Sequence, residues 1–283
     1  MTAVLPAAAA LSTLPTSPRL PVLFIGHGSP INAIEDNVYR RSWAALGQQF
    51  GSHSGSKWPK PAVILCISAH WLTSGWKLTA MDHPKTIHDF GGFPQELFAQ
   101  QYPALGAPRV AKALSDSFSN PSVGLDTHEW GLDHGTWSVL KPMFPQADIS
   151  VLQLSMDYDR PPTEHFALGQ QLKALRERGV LIVGSGNVVH NLRAARLSAP
   201  SVQTYDWAQE FDTVIGAHIQ HGRLDALKDF QKMGNVAQMA HPTFEHYLPL
   251  LYTAGAADAE EPVQFFNIGF QAASISMRSA VWG

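Results

Sequence analysis

Four short apolar runs without a charged residue limit the fold of this chain more than any other feature. They are LPVLFIG (20–26), AVILCISA (62–69), ISVLQLS (149–155) and VLIVGSG (180–186). Runs of this length that are rich in Val, Ile and Leu are typical of strands covered on both faces, as in parallel sheets. We therefore predict a largely parallel central sheet, which the later runs 262–269 and 274–282 can extend.

Segments with helical spacing lie between these runs. Residues 161–179 and 204–222 repeat apolar side chains along one helical face, and Gly179 predicts the end of the first helix. Pro242 and Thr243 predict a further helix over 242–255. Strands that alternate with helices indicate a layered α/β fold with helices on both faces of the sheet. Residues 70–136 show little periodicity, and a long irregular region inside a domain is usually functional.

The length and composition favour one catalytic domain. The chain has 283 residues, and no stretch within 20–283 has the composition of a linker. Residues 1–19 are rich in Ala and Pro and have no basic start. We interpret them as a poorly ordered leader rather than a secretory signal.

The charge and cysteine content exclude several function classes. The formal net charge of −3 gives no basic surface for nucleic acid or an anionic membrane. No apolar run reaches the roughly 18 residues of a membrane-spanning helix. The single cysteine, Cys66, cannot form an internal disulfide, so we predict a cytoplasmic location. No pattern in the sequence specifies an oligomeric state.

Histidines follow three of the four apolar runs. His27, His70 and His190 each lie at or just beyond a predicted strand end. Because parallel strands bring their carboxyl ends to one rim, we expect these imidazoles to share a site. A fourth, His246, lies beside Glu245 in the first turn of the predicted helix 242–255. Imidazoles with a carboxylate suit Zn, Fe, Cu or Ni better than Mg or Ca.

Two other chemistries find no support in the glycine-containing turns. The GSG segment at 184–186 is flanked by Val183 and Asn187, where a serine hydrolase would have glycines. The GHG segment at 26–28 is not followed by the phosphate-binding pattern of a dinucleotide site.

Six separated motifs, in order from about residue 20 to the C-terminus, give the chain a recognisable pattern. They are FIGHGSP, ISAHW, TIHDFGGFP, WGLDHGTW, GSGNVVHNL and PTFEHYLPLLY. Together they resemble the class III extradiol ring-cleavage dioxygenases of the LigB superfamily, and within them the 4,5-DOPA dioxygenase extradiol group.

The resemblance implies a metal centre. It places His27, His70 and His246 at metal-ligand positions. His190 matches a residue that is a ligand in some members and the acid/base in others. More distant members use two histidines and one glutamate, so Glu245 is the rival of His246 for the last position.

The resemblance also implies a substrate and a working ion. Fe(II) would be the working ion, and Zn(II) can occupy the same nitrogens. The substrates would be O₂ and a DOPA-like catechol, whose ring opens to a muconic semialdehyde. His190 is the first candidate for the acid/base and His134 the second, while His88, Phe90 and Phe93 are candidates for the substrate pocket. A zinc hydrolase and a non-enzymatic metal- or catechol-binding protein are the alternatives.

Overall fold

The computed structural model describes residues 14–196 and 203–283, and a mixed eight-stranded sheet forms its centre. The sheet order is β5-β3-β7-β2-β8-β1-β12-β9. Its strands, with those of two small two-stranded sheets, are β1 Val22–Gly26, β2 Val63–Thr73, β3 Trp76–Thr79, β4 Lys85–Thr86, β5 Val123–Asp126, β6 Gly131–Leu132, β7 Ser150–Asp157, β8 Val180–Gly186, β9 Val263–Phe266, β10 Phe270–Gln271, β11 Ile275–Ser276 and β12 Ser279–Trp282.

The four predicted apolar runs form the centre of this sheet. Strands β7, β2, β8 and β1 are neighbours and run parallel. The prediction of a parallel core is therefore confirmed, but the whole sheet is mixed. Strand β12 runs antiparallel to β1, and β9 pairs antiparallel with β12, because the short connection 267–278 between β9 and β12 suits an antiparallel return and not a crossover.

Helices cover both faces of the sheet, as predicted. Alternate residues of β1 enter two separate cores: Val22 and Phe24 enter one, and Leu23 and Ile25 enter the other. The helices are α1 Val38–Gly47, α2 Gln95–Phe98, α3 Pro108–Ser117, α4 His134–Met143, α5 Pro162–Leu172, α6 Asp206–Gln220, α7 Asn235–Ala240 and α8 Leu248–Ala256, with 3₁₀ turns at Pro30–Ala33, Lys173–Arg178, Leu192–Ala194 and Leu224–Met233.

The prediction of a helix over 242–255 is wrong at its start, because α8 begins only at Leu248. Pro249 has no N–H to donate and therefore suits the first turn of a helix, not its interior. The carbonyl of His246 accepts a hydrogen bond from the backbone amide of Asn187 at 2.8 Å. This bond ties His246 to the residue that follows β8, and not to a helical turn. His246 and Glu245 consequently lie in a turn before the helix.

Residues 70–136 contain more regular structure than their weak periodicity predicts. Strands β3 and β5 lie there and extend the central sheet, and α3 packs beside them. None of the helices in the described residues is long and apolar enough to cross a membrane.

The division into a leader and a domain at residue 20 stays a prediction, and residues 1–13 lie outside the described residues. The remaining residues of the predicted leader contact the domain. Leu14 is buried, and the Ser17 amide donates to the Glu177 carbonyl at 3.0 Å.

Candidate functional site

Three imidazoles meet at the carboxyl ends of the parallel strands. The Nε2 atoms of His27 and His70 lie 3.3 Å apart. The His246 ring centroid lies 5.3 Å from that of His27 and 5.0 Å from that of His70. One possible ligand atom from each of the three lies within 4.8 Å of the others. The structure therefore brings together residues that are 219 positions apart in the chain (246 − 27).

His70 reaches this place through an irregularity in β2. The sequence places it in a loop after a strand ending at 69, but β2 continues to Thr73. The pairing of β2 with β7 shifts register between Ile67 and Leu72. A bulge of this kind re-aims a side chain beside a functional site.

The tautomer of His27 follows from its hydrogen-bond chain. The Ser185 hydroxyl donates to the Gly135 carbonyl at 2.5 Å, so its oxygen is left to accept. His27 Nδ1 lies 3.0 Å from that oxygen and must therefore carry the hydrogen. The bare Nε2 of His27, which faces His70, is left with a free lone pair.

His70 and His246 show the same arrangement with carboxylates. Nδ1 of His70 lies 3.3 Å from Asp89 Oδ2, and Nδ1 of His246 lies 3.1 Å from Glu245 Oε1. A carboxylate that accepts from Nδ1–H fixes the tautomer, orients the ring and leaves Nε2 free, as at many metal-binding histidines. Each of the three imidazoles thus has an oxygen within 3.3 Å of Nδ1.

Two overlapping groups also have closely spaced ligand atoms. One is His70, Asp89 and His134, and the other is His190, Glu245 and His246. In the second group Nδ1 of His246 and the Glu245 carboxylate are hydrogen-bonded to each other. Nδ1 of His246 is therefore not available as a metal ligand.

Burial keeps the clustered imidazoles neutral. It lowers the pKa of His27, His70 and His246 well below the ordinary value, and neighbouring histidines lower it further. For His70, Asp89 opposes part of this effect. Neutral imidazoles have a lone pair for a cation, so this donor set fits a transition-metal ion.

His190 stacks on His246. Their ring centroids are 3.4 Å apart, and the ring planes differ by 7°. Burial, and then His241 and His134, lower the pKa of His190 to about 3. His190 also lines a cavity of about 190 Å³.

His134 lies on the other side of the cluster, at the start of α4. Asp133 caps this helix by accepting from the Thr136 amide at 3.1 Å. The His134 ring centroid is 3.8 Å from that of His70, and its Nδ1 is 3.0 Å from Asp89 Oδ1. Burial would raise the pKa of Asp89, but His134 and His70 lower it to about 2. Asp89 is therefore an anion shared by two imidazoles.

The predicted pocket residues lie behind His134. The Phe90 ring centroid is 5.5 Å from that of His134, and Phe93 packs on Phe90 at 5.4 Å. His88 donates from Nε2 to the Gln100 carbonyl at 2.9 Å and packs against Phe90 and Trp137. Of the three, only Phe90 has an aromatic contact with His134.

Sequence reasoning missed Asp89 and Ser185. Asp89 follows His88 within TIHDFGGFP, and Ser185 lies within the GSG segment. Both residues lie in motifs that the sequence analysis names, but an aspartate or a serine does not by itself indicate a role in orienting a histidine. Only the contacts with Nδ1 of His70 and of His27 reveal it.

Gly28 has a packing role beside His27. Its φ of +57° lies in the left-handed region, and a Cβ there would lie 2.4 Å from Met277 Sδ. Side chains of the segment 271–277 therefore pack directly against Gly28 and leave no room for a side chain at this position.

Known proteins resemble the chain over almost its whole length. The family described as "Catalytic LigB subunit of aromatic ring-opening dioxygenase" matches residues 21–281. The "4,5-DOPA dioxygenase extradiol" of Escherichia coli (strain K12) is 44% identical over 95% of this chain and 96% of the relative. The protein of the same name from Beta vulgaris is 34% identical over 86% of this chain and 89% of its own length.

A solved structure shows the same architecture. The crystal structure of an uncharacterized protein from Escherichia coli K12 matches with a TM-score of 0.80 at 40% identity, over 94% of this chain and 100% of that one. The family match spans the histidine cluster and every strand that positions it. The chain therefore belongs to the LigB family of aromatic ring-opening dioxygenases.

Proposed function

We propose that the chain opens the ring of a catechol with O₂, using Fe(II) held by His27, His70 and His246, and that DOPA is the first substrate to test. The observation that carries this proposal is the shared arrangement of the three imidazoles. Each has an acceptor on Nδ1, and their ligand atoms lie within 4.8 Å of one another.

The donor set fits the proposed ion. Three neutral imidazole nitrogens suit Fe(II), and they suit Zn(II) as well, so zinc is expected to occupy the same nitrogens in some preparations. When bound, iron supplies a chelation point for the two catechol oxygens and the redox chemistry that O₂ requires. Zinc binds a diol but has no redox chemistry, which is why iron is the proposed working ion.

His190 is the proposed acid/base. His190 lines the cavity, and its ring stacks on His246, which supports a place beside a catechol hydroxyl bound at the cluster. A neutral imidazole accepts a proton from the hydroxyl and returns it to an oxygen of the opened ring. His134 is the second candidate for contact with the substrate, and the Phe90 ring beside it supplies an apolar wall.

The family match favours this chemistry over a zinc hydrolase or a non-enzymatic binding protein. We propose that residues 20–283 act as one catalytic domain, since the match covers 21–281. A cytoplasmic location stays part of the proposal, supported by the buried free thiol of Cys66.

The experiment is anaerobic reconstitution with Fe(II), followed by measurement of O₂ uptake with a panel of catechols. DOPA is expected to consume one O₂ per molecule and to give the absorbance of a semialdehyde product. His70→Ala is expected to abolish uptake. If the iron-loaded protein takes up no O₂ with any catechol, the proposed function is wrong.

A further inference from the structure

We propose that Arg193 binds a carboxylate on the side chain of the catechol, so that the enzyme prefers catechols with an acidic side chain. The inference rests on the proposed function, because the ring is taken to lie at the histidine cluster. The observation that carries it is a cavity of about 190 Å³ that both His190 and Arg193 line.

His190 stacks on His246, and the cavity continues from His190 to Arg193, with Thr243 and Glu245 on its wall. A catechol that presents its hydroxyls to the cluster beside His190 would extend its side chain into this space. Arg193 is then the cation nearest along the chain to the acid/base, three residues from it.

The turn that carries Arg193 is anchored by its neighbours. Arg193 is the middle residue of the 3₁₀ turn Leu192–Ala194, and the Asn191 side chain accepts from the Ala194 amide at 3.1 Å. The Asn191 amide group donates to the Met239 carbonyl at 2.7 Å. The Ser274 hydroxyl donates to the Asn191 carbonyl at 2.8 Å. Hydrogen bonds to Met239 and Ser274 therefore fix the backbone just before Arg193.

The guanidinium of Arg193 has no assigned partner in the described part of the chain. It forms no ion pair and no side-chain hydrogen bond with residues 14–196 or 203–283. Arg196, in the same segment, donates to the Tyr205 hydroxyl at 3.0 Å and lies over the Tyr205 ring at 4.7 Å. Of Arg193 and Arg196, only Arg193 lines this cavity.

The donor geometry of Arg193 suits a carboxylate as the group bound, although Glu245 also lines the cavity. The Thr243 hydroxyl and Nδ1 of His246 both contact Glu245 Oε1, at 3.0 and 3.1 Å, and Glu245 forms no ion pair with Arg193. Arginine presents paired donors that match the two oxygens of a carboxylate.

The test compares two substrates of similar shape. 3-(3,4-dihydroxyphenyl)propionate has the carboxylate and no amine, and 4-methylcatechol has neither. For each, kcat/KM is measured with iron-loaded wild type, Arg193→Gln and Arg196→Gln, and Kd is measured by anaerobic titration. Loss of one charge-assisted contact predicts that Arg193→Gln lowers the ratio of kcat/KM for the acid to that for 4-methylcatechol roughly 10- to 100-fold. Arg196→Gln is expected to leave this ratio within about twofold, since Arg196 does not line the cavity.

The Kd ratio should move in parallel with the kcat/KM ratio. An equal ratio in wild type and Arg193→Gln overturns the inference, as does a wild type that prefers 4-methylcatechol. If neither catechol is opened, the proposed function fails. The anaerobic Kd ratio then decides separately whether Arg193 binds the carboxylate.

Discussion

Glu245 Oε1 lies 3.1 Å from Nδ1 of His246, the next residue in the chain. The sequence leaves Glu245 and His246 as alternative candidates for one metal-ligand position. In the structure these two side chains are hydrogen-bonded to each other. A carboxylate only accepts, so Nδ1 of His246 carries the hydrogen, and Nε2 is free to face a cation. The turn before α8 allows this contact between neighbours, and it supports a role for Glu245 in orienting His246.

Replacement of Glu245 should weaken metal binding without abolishing it. Glu245→Gln keeps an oxygen that can accept from Nδ1 but loses the charge, and loss of such a partner typically costs 10- to 100-fold in metal affinity, an approximate range. His246→Ala removes the ligand and should leave less than one metal per chain. Competition against a chelator measures both. If the Glu245→Gln protein binds no metal while the His246→Ala protein binds one metal per chain, Glu245 would be the ligand and His246 would not.

His27 and His70 should each be needed for a stoichiometric metal ion. His27→Ala or His70→Ala removes one of three converging nitrogens, and two imidazoles hold a divalent ion much more weakly than three. His128→Ala is the matched control because His128 is exposed and outside the three groups of possible ligands. Elemental analysis after dialysis should give one metal for the control and much less for the other two variants. Full occupancy in both would contradict the proposed ligand set.

His190→Gln should separate metal binding from turnover. If His190 is the acid/base, the variant keeps one metal per chain and loses roughly 10²- to 10⁴-fold in kcat. Metal content and O₂ uptake are measured on the same preparation. A parallel fall in metal content would assign His190 as a ligand.

Acid should destabilise the metal-free protein through its buried histidines. Burial lowers the pKa of His241 to about 4 from 6.5, although its bond to the Val188 carbonyl opposes the shift. Between these two pH values the unfolded chain binds more protons than the native one, so the free energy of unfolding falls as the pH falls. His241→Asn should reduce this slope by up to about 1.4 kcal/mol per pH unit.

Urea denaturation at several pH values within that interval measures the slope. His83→Asn, at an exposed position, controls for the loss of a histidine from the sequence. An unchanged slope in His241→Asn would mean that His241 is not neutral in the native protein.

Gly186→Ala should disturb the turn that holds His246. A Cβ at Gly186 would lie 2.2 Å from the His246 carbonyl oxygen, so the backbone would have to move. Overpacking of this kind costs about 1–3 kcal/mol in stability and should lower metal affinity as well. At Gly124, in β5, the nearest atom to a new Cβ lies at 3.6 Å, so Gly124→Ala is the control. Equal metal affinity in the two variants would show that the turn tolerates the shift.

The central strands, and the positions of His27, His70 and His190 at their ends, could be predicted because the sequence patterns that indicate them are local. A buried parallel strand needs an apolar run, and parallel neighbours bring their carboxyl ends to one rim. His27, His70 and His190 follow such runs, so their convergence could be inferred without knowing the contacts. The six motifs added His246 by resemblance.

The start of α8 shows where local signals stop. Pro242 and Thr243 are good residues for a helix start, but Pro249 is one too, and the sequence does not rank them. The bond from the Asn187 amide to the His246 carbonyl decides between them. Such a bond joins segments that are distant in the chain, so no local sequence pattern in either segment predicts it.

The sequence by itself determined the parallel core, the histidines at its rim and the family to which they belong. Only the tertiary structure decided which atom of each imidazole is free. Ser185, Asp89 and Glu245 fix Nδ1 of His27, His70 and His246. The reason is physical: a tautomer depends on which acceptor lies within about 3 Å of a ring nitrogen, and for His27 and His70 that acceptor comes from another part of the chain.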